Sequence, residues 1–115
     1  MRIIEFYRTP TEVSPVEEFL DSLNDKQTAK IAWVLRIIRD YERVSKEYFK
    51  KLVGTDDIWE IRIKFGRDIF RILCFFDDGK IIVLTNGFVK KSQKTPSSEI
   101  KLAEKRKKEY KERKK

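Results

Sequence analysis

The sequence has 115 residues, with 27 lysines and arginines against 19 acidic residues, one cysteine and no histidine. This length suits one domain, residues 1–115, with a single hydrophobic core. A lone cysteine excludes a disulfide within the chain, and the usual zinc clusters cannot be built without histidine, so we expect no metal and no cofactor. A charged amino terminus and the lack of a long apolar stretch predict a cytoplasmic protein without a signal peptide or membrane span.

The positive charge is concentrated at the carboxyl-terminal end. Residues 1–89 contain 15 basic and 15 acidic side chains, whereas residues 90–115 contain 12 basic and 4 acidic ones, which accounts for the net charge of +8. A basic block beside a neutral region favours a polyanionic partner, above all nucleic acid. A solvated basic tail is the alternative interpretation for the last ten residues.

The first half of the chain predicts a strand and two helices. Alternating apolar and charged residues at 2–8 are typical of a strand. Ser14–Pro15 predicts a helix start with serine as the cap, and Asn24–Asp25 provides a break and a second cap. A longer helix is predicted from Lys26 to about Val44, followed by a short helical turn or connector at 45–52.

The longer helix carries an unusually wide apolar surface. Its main stripe consists of Ile31, Val34, Leu35 and Ile38, and it is widened by Trp33, Ile37, Tyr41 and Val44. We favour packing against both the sheet and the first helix. Binding of another protein chain is the alternative.

Three apolar runs follow, at Trp59–Phe65, Ile69–Phe76 and Ile81–Phe88. Their lengths, their β-branched and aromatic content and the turn residues between them predict consecutive antiparallel strands. Asp78–Gly79 suits a tight hairpin, because its turn requires positive φ values. Cys74 lies within the second run and is interpreted as a core residue.

The predicted strands carry several cations. Arg62 and Lys64 lie on the polar side of the first strand, and Arg67 lies in the turn after it. Arg71 lies among apolar residues of the second strand. It either forms a structural ion pair with Glu60 or serves as a cation at the wall of a cleft.

A basic loop and a last helix complete the chain. The loop presents Lys90, Lys91 and Lys94, and Thr95–Pro96 predicts a helix start with threonine as the cap. The helix has a thin apolar stripe that is interrupted by Lys107. We expect its first turns to dock and the tail, about 105–115, to fray towards Lys115.

These motifs together resemble the toxins of the RelE/ParE superfamily, within it the HigB-like, phage Gp49-related branch. The resemblance covers nearly the whole chain. It rests on Trp59-Glu60-Ile61-Arg62, Phe70-Arg71-Ile72-Leu73 and the run Gly87–Pro96, followed by Glu99-Ile100 and Ala103.

The resemblance implies an α+β, RelE-like fold with an N-terminal strand, a helical hairpin, an antiparallel sheet of about four strands and a C-terminal helix. It also implies a ribosome-dependent endoribonuclease that cuts mRNA during translation. In such enzymes the 2′-hydroxyl attacks the adjacent phosphate without a metal and leaves a cyclic phosphate end.

The resemblance also assigns roles to the cations. Arg62 and Lys64 match a pair of basic residues two apart, and Arg71 matches an arginine that follows an aromatic residue. Arg71 is expected to stabilise the phosphate and Lys64 to act as the general base. Lys90 and Lys91, with Lys94 beside them, would grip RNA or assist the leaving group.

Two further points follow from comparison with this family. Many HigB-like relatives have a histidine in the last strand, where this chain has Thr85-Asn86-Gly87, so imidazole chemistry is excluded. Either lysines supply the acid and the base, or the activity is weak. Arg67 could bind ribosomal RNA or serve as a hairpin charge, and we favour the second.

The expected partners are the ribosome, mRNA and a cognate helix-turn-helix antitoxin, HigA-like, with no membrane. Two other functions are compatible with the same fold. One is inhibition of DNA gyrase, as in the ParE toxins, and the other is RNA binding without cleavage. The cationic strand face favours the nuclease.

Overall fold

The computed structural model describes residues 1–91 and 93–115. The elements in this part of the chain are β1 (Ile3–Phe6), α1 (Pro15–Asp21), α2 (Asp25–Asp40), β2 (Phe49–Lys51), β3 (Trp59–Phe65), β4 (Asp68–Asp77), β5 (Ile81–Val89) and α3 (Ser97–Arg113). The predicted α+β class is confirmed. None of the described helices is both long and apolar enough to cross a membrane.

The strands form one mixed sheet in the order β1-β5-β4-β3-β2. β1 pairs with β5 in parallel, and the other neighbours are antiparallel. The sheet therefore differs from the expected antiparallel sheet of about four strands in two details. The parallel pair arises because two helices separate β1 from the rest of the sheet, and a fifth strand, β2, lies in the segment predicted as a connector.

The hairpin between β4 and β5 has the predicted positive φ values but a longer loop than a two-residue turn, since Asp78, Gly79 and Lys80 separate the paired Asp77 and Ile81. Asp78 has a φ of 57° and Gly79 a φ of 75°, which is the pair of positive values that a primed turn requires. The three central strands lie within one or two residues of their predicted bounds.

The sheet lies between two hydrophobic cores of unequal size. The larger core joins α1 and α2 to one face, and its fully buried members include Val16, Ile31, Val34, Ile38, Ile61, Ile72, Cys74 and Leu84. The smaller core joins α3 to the opposite face, and it contains Tyr7, Ile58, Leu73, Phe75, Val83 and Ala103. The face predicted to be polar is therefore covered over part of its area.

Helix α2 ends at Asp40, four residues before the predicted end. The guanidinium of Arg2 donates to the carbonyl oxygens of Ile38 (2.8 Å), Tyr41 (2.6 Å) and Glu42 (2.7 Å), so it satisfies carbonyls that the helix end leaves without partners. Tyr41 and Trp33 are 63% and 42% exposed. Packing therefore accounts for the main apolar stripe of α2 but not for these two side chains.

Helix α3 differs from its prediction at both ends. It begins at Ser97, with Pro96 at the N-cap position and no side-chain cap, because the Thr95 hydroxyl donates to the carboxylate of Glu60 instead. At the other end the helix continues to Arg113, and Lys114 Nζ lies 2.8 Å from Asp77 Oδ2. The turn that we expected to fray is thus helical and bound to β4.

Lys107 interrupts the apolar stripe of α3 without leaving the interface. Its side chain is buried, and Nζ donates to the backbone oxygen of Asp56 at 2.7 Å. A long aliphatic stem can pack against apolar neighbours while its ammonium group finds a polar partner at the rim.

Candidate functional site

Helix α3 packs chiefly on β4 and β5. Asn86 donates to Glu99 Oε1, Arg106 donates to Thr85 O, and the Tyr110 hydroxyl donates to Asp77. These contacts lie in the middle of β5 and at the end of β4. The other end of the face, where β3 and β4 carry their arginines, borders a cleft.

Two arginines stand directly opposite each other at this end of the face. Arg62 of β3 pairs with Arg71 of β4, and Arg71 pairs in turn with Phe88 of β5. Like charges opposite each other across strands destabilise a sheet. This arrangement therefore requires a neighbouring negative charge.

The carboxylate of Glu60 supplies that charge. Its side chain is only 1% exposed, and Oε1 accepts a hydrogen bond from Arg62 Nε at 3.0 Å. Arg71 Nε lies 3.2 Å from the same oxygen, an ion pair whose angle does not make a hydrogen bond. The Thr95 hydroxyl donates to Oε2, so the loop before α3 is tied to the same carboxylate.

Arg71 thus fits both of its predicted roles, the structural ion pair and the cation at the wall of a cleft. Arg71 forms the predicted ion pair with Glu60, and it also lines a cleft. Burial lowers the pKa of Arg71, Glu60 opposes that effect, and Arg62 adds to it. The guanidinium nevertheless stays charged, since arginine keeps its proton in proteins.

Lys90 joins this cluster from the end of β5. Its backbone N–H donates to Ile69 O at 2.7 Å, which holds the start of the basic loop against β4. Burial is the main cause that lowers the pKa of Lys90, followed by the charge of Arg71, while Glu60 acts in the opposite direction.

A cleft of about 540 Å³ opens beside these groups. Its walls are formed by Lys30, Glu47, Tyr48, Arg62, Ile63, Lys64, Gly66, Ile69 and Arg71. Lys64 is exposed at this wall. The sequence did not indicate Lys30, Glu47 or Tyr48, because they reach the cleft only through the packing of α2 and the position of β2.

Comparison with known families agrees with this architecture. Residues 18–108 match the family described as phage-derived protein Gp49-like (DUF891). The chain belongs to this family. It is a family of toxin-like proteins of the RelE type, which confirms the resemblance at that level. A search of curated proteins finds no match to the chain.

The remaining predicted cations of this Gp49-like protein lie outside the cleft wall. Arg67 is exposed in the turn between β3 and β4, as a hairpin charge would be. Lys91 and Lys94 are exposed in the loop between β5 and α3. Among the described residues, none of these three lines the cleft.

The site of this Gp49-like protein combines fixed guanidinium groups with lysines at its edges. Arg62 and Arg71 each lie against Glu60 through Nε, and Arg71 Nη1 also donates to Phe70 O at 3.5 Å. Each guanidinium group carries the planar fork of its two Nη groups. Such a fork matches two oxygens of one phosphate. Lysines on either side can transfer protons or bind further phosphates, so the geometry suits a phosphodiester.

Proposed function

We propose that this protein is the toxin of a toxin–antitoxin pair and that it cleaves mRNA on the ribosome. The observation that supports this most is the pair Arg62 and Arg71, oriented by a buried carboxylate beside an open cleft. A protein that acts only through contacts with another protein has no need of two adjacent guanidinium groups on one sheet face, one of them buried.

The proposed reaction requires no group beyond the chain and its RNA. The 2′-oxygen of the substrate loses its proton and attacks the adjacent phosphorus, the bond from phosphorus to the 5′-oxygen breaks, and a 2′,3′-cyclic phosphate and a 5′-hydroxyl result. The transition state carries additional negative charge on the phosphate. Arg71, which is rigidly held, stabilises that charge, and Arg62 assists it.

Lysines supply the proton transfers in this proposal. Lys64, exposed at the cleft wall, is the general base that takes the 2′-hydroxyl proton. Lys90 is the acid that protonates the departing 5′-oxygen, because a lysine with a lowered pKa gives up its proton more readily. Lys91 and Lys94 in the adjoining loop hold the RNA, and Arg67 is assigned at most a peripheral contact.

The proposed partners are the ribosome, its mRNA and a cognate antitoxin of the helix-turn-helix, HigA-like type, all in the cytoplasm. A toxin-like family makes an antitoxin plausible. The antitoxin neutralises the toxin by covering the cleft or by blocking entry into the ribosome from another surface.

The test is induction of the chain in bacterial cells with mapping of mRNA 5′ ends, beside the variant Arg71→Ala. We expect new ends inside translated reading frames, in step with codons, and their loss in the variant. Arg43→Ala is the matched control, because Arg43 is exposed and its removal changes the net charge equally. The control is expected to cleave like the unaltered chain.

Ribosome sedimentation separates loss of chemistry from loss of folding. If Arg71→Ala still sediments with ribosomes but no longer generates ends, Arg71 acts in the reaction. Growth arrest with a DNA-damage response and without new ends would assign the protein to the gyrase inhibitors. Ribosome binding without cleavage by the unaltered chain would leave RNA binding as its function.

A further inference from the structure

Four lysines lie along the solvent-facing side of α3. Their spacing of three or four residues places them on one face of the helix, over about 15 Å at a rise of 1.5 Å per residue. All four are exposed. This lysine stripe consists of Lys101, Lys105, Lys108 and Lys111.

The inward-facing cations of α3 are engaged by the rest of the protein. Arg106 donates to Thr85 O at 2.9 Å, and Lys107 donates to Asp56 O at 2.7 Å. Among the described residues, by contrast, no lysine of the stripe forms an ion pair. The stripe therefore presents its full charge to the solvent.

In the part of the chain that the structure describes, the acidic residues beside the stripe form no ion pair with it. Glu104 lies three residues after Lys101 and four before Lys108, and Glu112 lies four residues after Lys108, which are the spacings at which helical ion pairs form. The Glu104 carboxylate instead accepts a hydrogen bond from the backbone N–H of Asp56 at 2.9 Å. Glu104 is thus engaged by the loop before β3 rather than by the lysines.

We propose that the lysine stripe binds the phosphate backbone of a helical RNA, at a surface separate from the cleft. Lysine ammonium groups neutralise phosphates without reading sequence, and RNA duplexes are recognised largely through backbone and shape. A straight row of cations on a rigid helix is suited to the regular backbone of a duplex. This binding does not depend on cleavage in the cleft.

Two other occupants fit the surface less well. A helix that binds a lipid surface needs a free apolar side, and the apolar side of α3, with Ala103 fully buried, faces the sheet. An acidic protein partner would require apolar or aromatic side chains at the centre of its interface, where lysine is depleted. The residues that line the surface beside the stripe are all charged.

The test measures binding of a labelled 20-base-pair RNA duplex by fluorescence anisotropy over a range of salt concentrations. The variant combines Lys101→Gln, Lys105→Gln and Lys108→Gln in the full-length chain. We expect weaker binding, and we expect the slope of log affinity against log salt to become shallower by about 3, one for each phosphate that is no longer neutralised.

A matched variant controls for net charge. It combines Arg43→Gln, Lys46→Gln and Lys80→Gln, which are exposed and outside α3, and it also removes three positive charges from the net +8. Its slope is expected to change by less than about 1, since these groups are not aligned on one surface. Circular dichroism melting should show both variants folded, because no buried contact is altered.

Three outcomes would overturn the proposal. One is duplex binding by the stripe variant with unchanged affinity and slope, and another is an equal loss in both variants. The third is that the stripe variant loses binding to phosphatidylserine vesicles but keeps its binding to the duplex, which would indicate that the stripe binds a membrane surface. Arg71→Ala should bind the duplex normally, so that failure of the nuclease proposal and failure of this one are distinguishable.

Discussion

The carboxylate of Glu60 is what allows two arginines to occupy one sheet face. Arg62 and Arg71 are cross-strand partners, and their Nε atoms lie 3.0 and 3.2 Å from Glu60 Oε1. Without this carboxylate, two like charges would face each other in a site where Arg71 is only 6% exposed. Glu60 therefore both stabilises the sheet and orients the guanidinium groups.

Glu60→Gln keeps the shape of the side chain but removes its charge. We expect the free energy of unfolding to fall by about 3 kcal/mol, because a buried ion pair that loses one partner leaves a charge uncompensated. Urea unfolding followed by circular dichroism measures this change.

The control for this prediction is Glu17→Gln. The Glu17 carboxylate lies 3.4 Å from Arg8, and both side chains are about half exposed, at 52% and 46%. Exposed ion pairs contribute at most about 1 kcal/mol. Equal effects of the two substitutions would contradict the assigned role of Glu60.

At the scale of elements, the packing of α1 on β5 depends on a residue without a side chain. A Cβ atom added to Gly87 would lie 2.5 Å from Cδ2 of Phe19, well inside van der Waals contact. The aromatic ring thus fills the space above the strand that a side chain would otherwise take. In turn, Phe19 packs edge-on against Phe70, at 6.2 Å between ring centroids.

Gly87→Ala should therefore destabilise the protein. We expect a loss of about 2 kcal/mol, because overfilling a packed core forces side chains and backbone to shift. Thermal or urea unfolding of the variant measures the loss.

A second substitution tests the cause. Phe19→Ala removes the ring atoms nearest to Gly87, namely Cγ, Cδ2 and Cε2, so the double variant should be destabilised by less than the sum of the single variants. Strictly additive effects would show that the ring is not what Gly87 accommodates.

The docking of α3 shows why its last turns do not fray. The Tyr110 hydroxyl donates to Asp77 (3.1 Å) and Glu5 (3.2 Å), and burial, together with these carboxylates, raises its pKa to about 12. Tyr7 donates to Glu109 at 2.6 Å. These partners are far away in sequence, so the composition of the tail could not indicate them.

At the scale of the whole molecule, the centre of the sheet is sealed on both faces. Cys74 lies in the central strand β4 and is 0% exposed. Burial raises the pKa of its thiol above the usual range, which removes the reactive thiolate. Its predicted place in the core is confirmed.

Cys74 should consequently react with a thiol reagent only after global unfolding. We expect the free energy of opening derived from labelling rates to equal that from urea unfolding, since the central strand has no route to solvent short of global opening. If the free energy of opening from labelling is smaller than the free energy of unfolding in urea, one helical layer separates from the sheet while the rest stays folded.

The sequence alone determined those parts of the fold that depend on neighbouring residues. The three central strands, the Asp78–Gly79 turn and the caps of α1 and α2 follow from alternation, turn chemistry and capping within a few positions. It also indicated the cations Arg62, Lys64, Arg71 and Lys90, which the structure places at one end of the sheet.

Only the tertiary structure decided the features that join distant segments. Four such features connect residues far apart in the chain. They are the parallel pairing of β1 with β5, the pairing of β2 with β3, the bond from Arg2 to the end of α2, and the contact between Thr95 and Glu60. The position of Tyr48 in the cleft wall likewise depends on segments far apart in the chain. Local patterns describe which face a residue occupies, whereas its partners across space depend on how all the elements pack together.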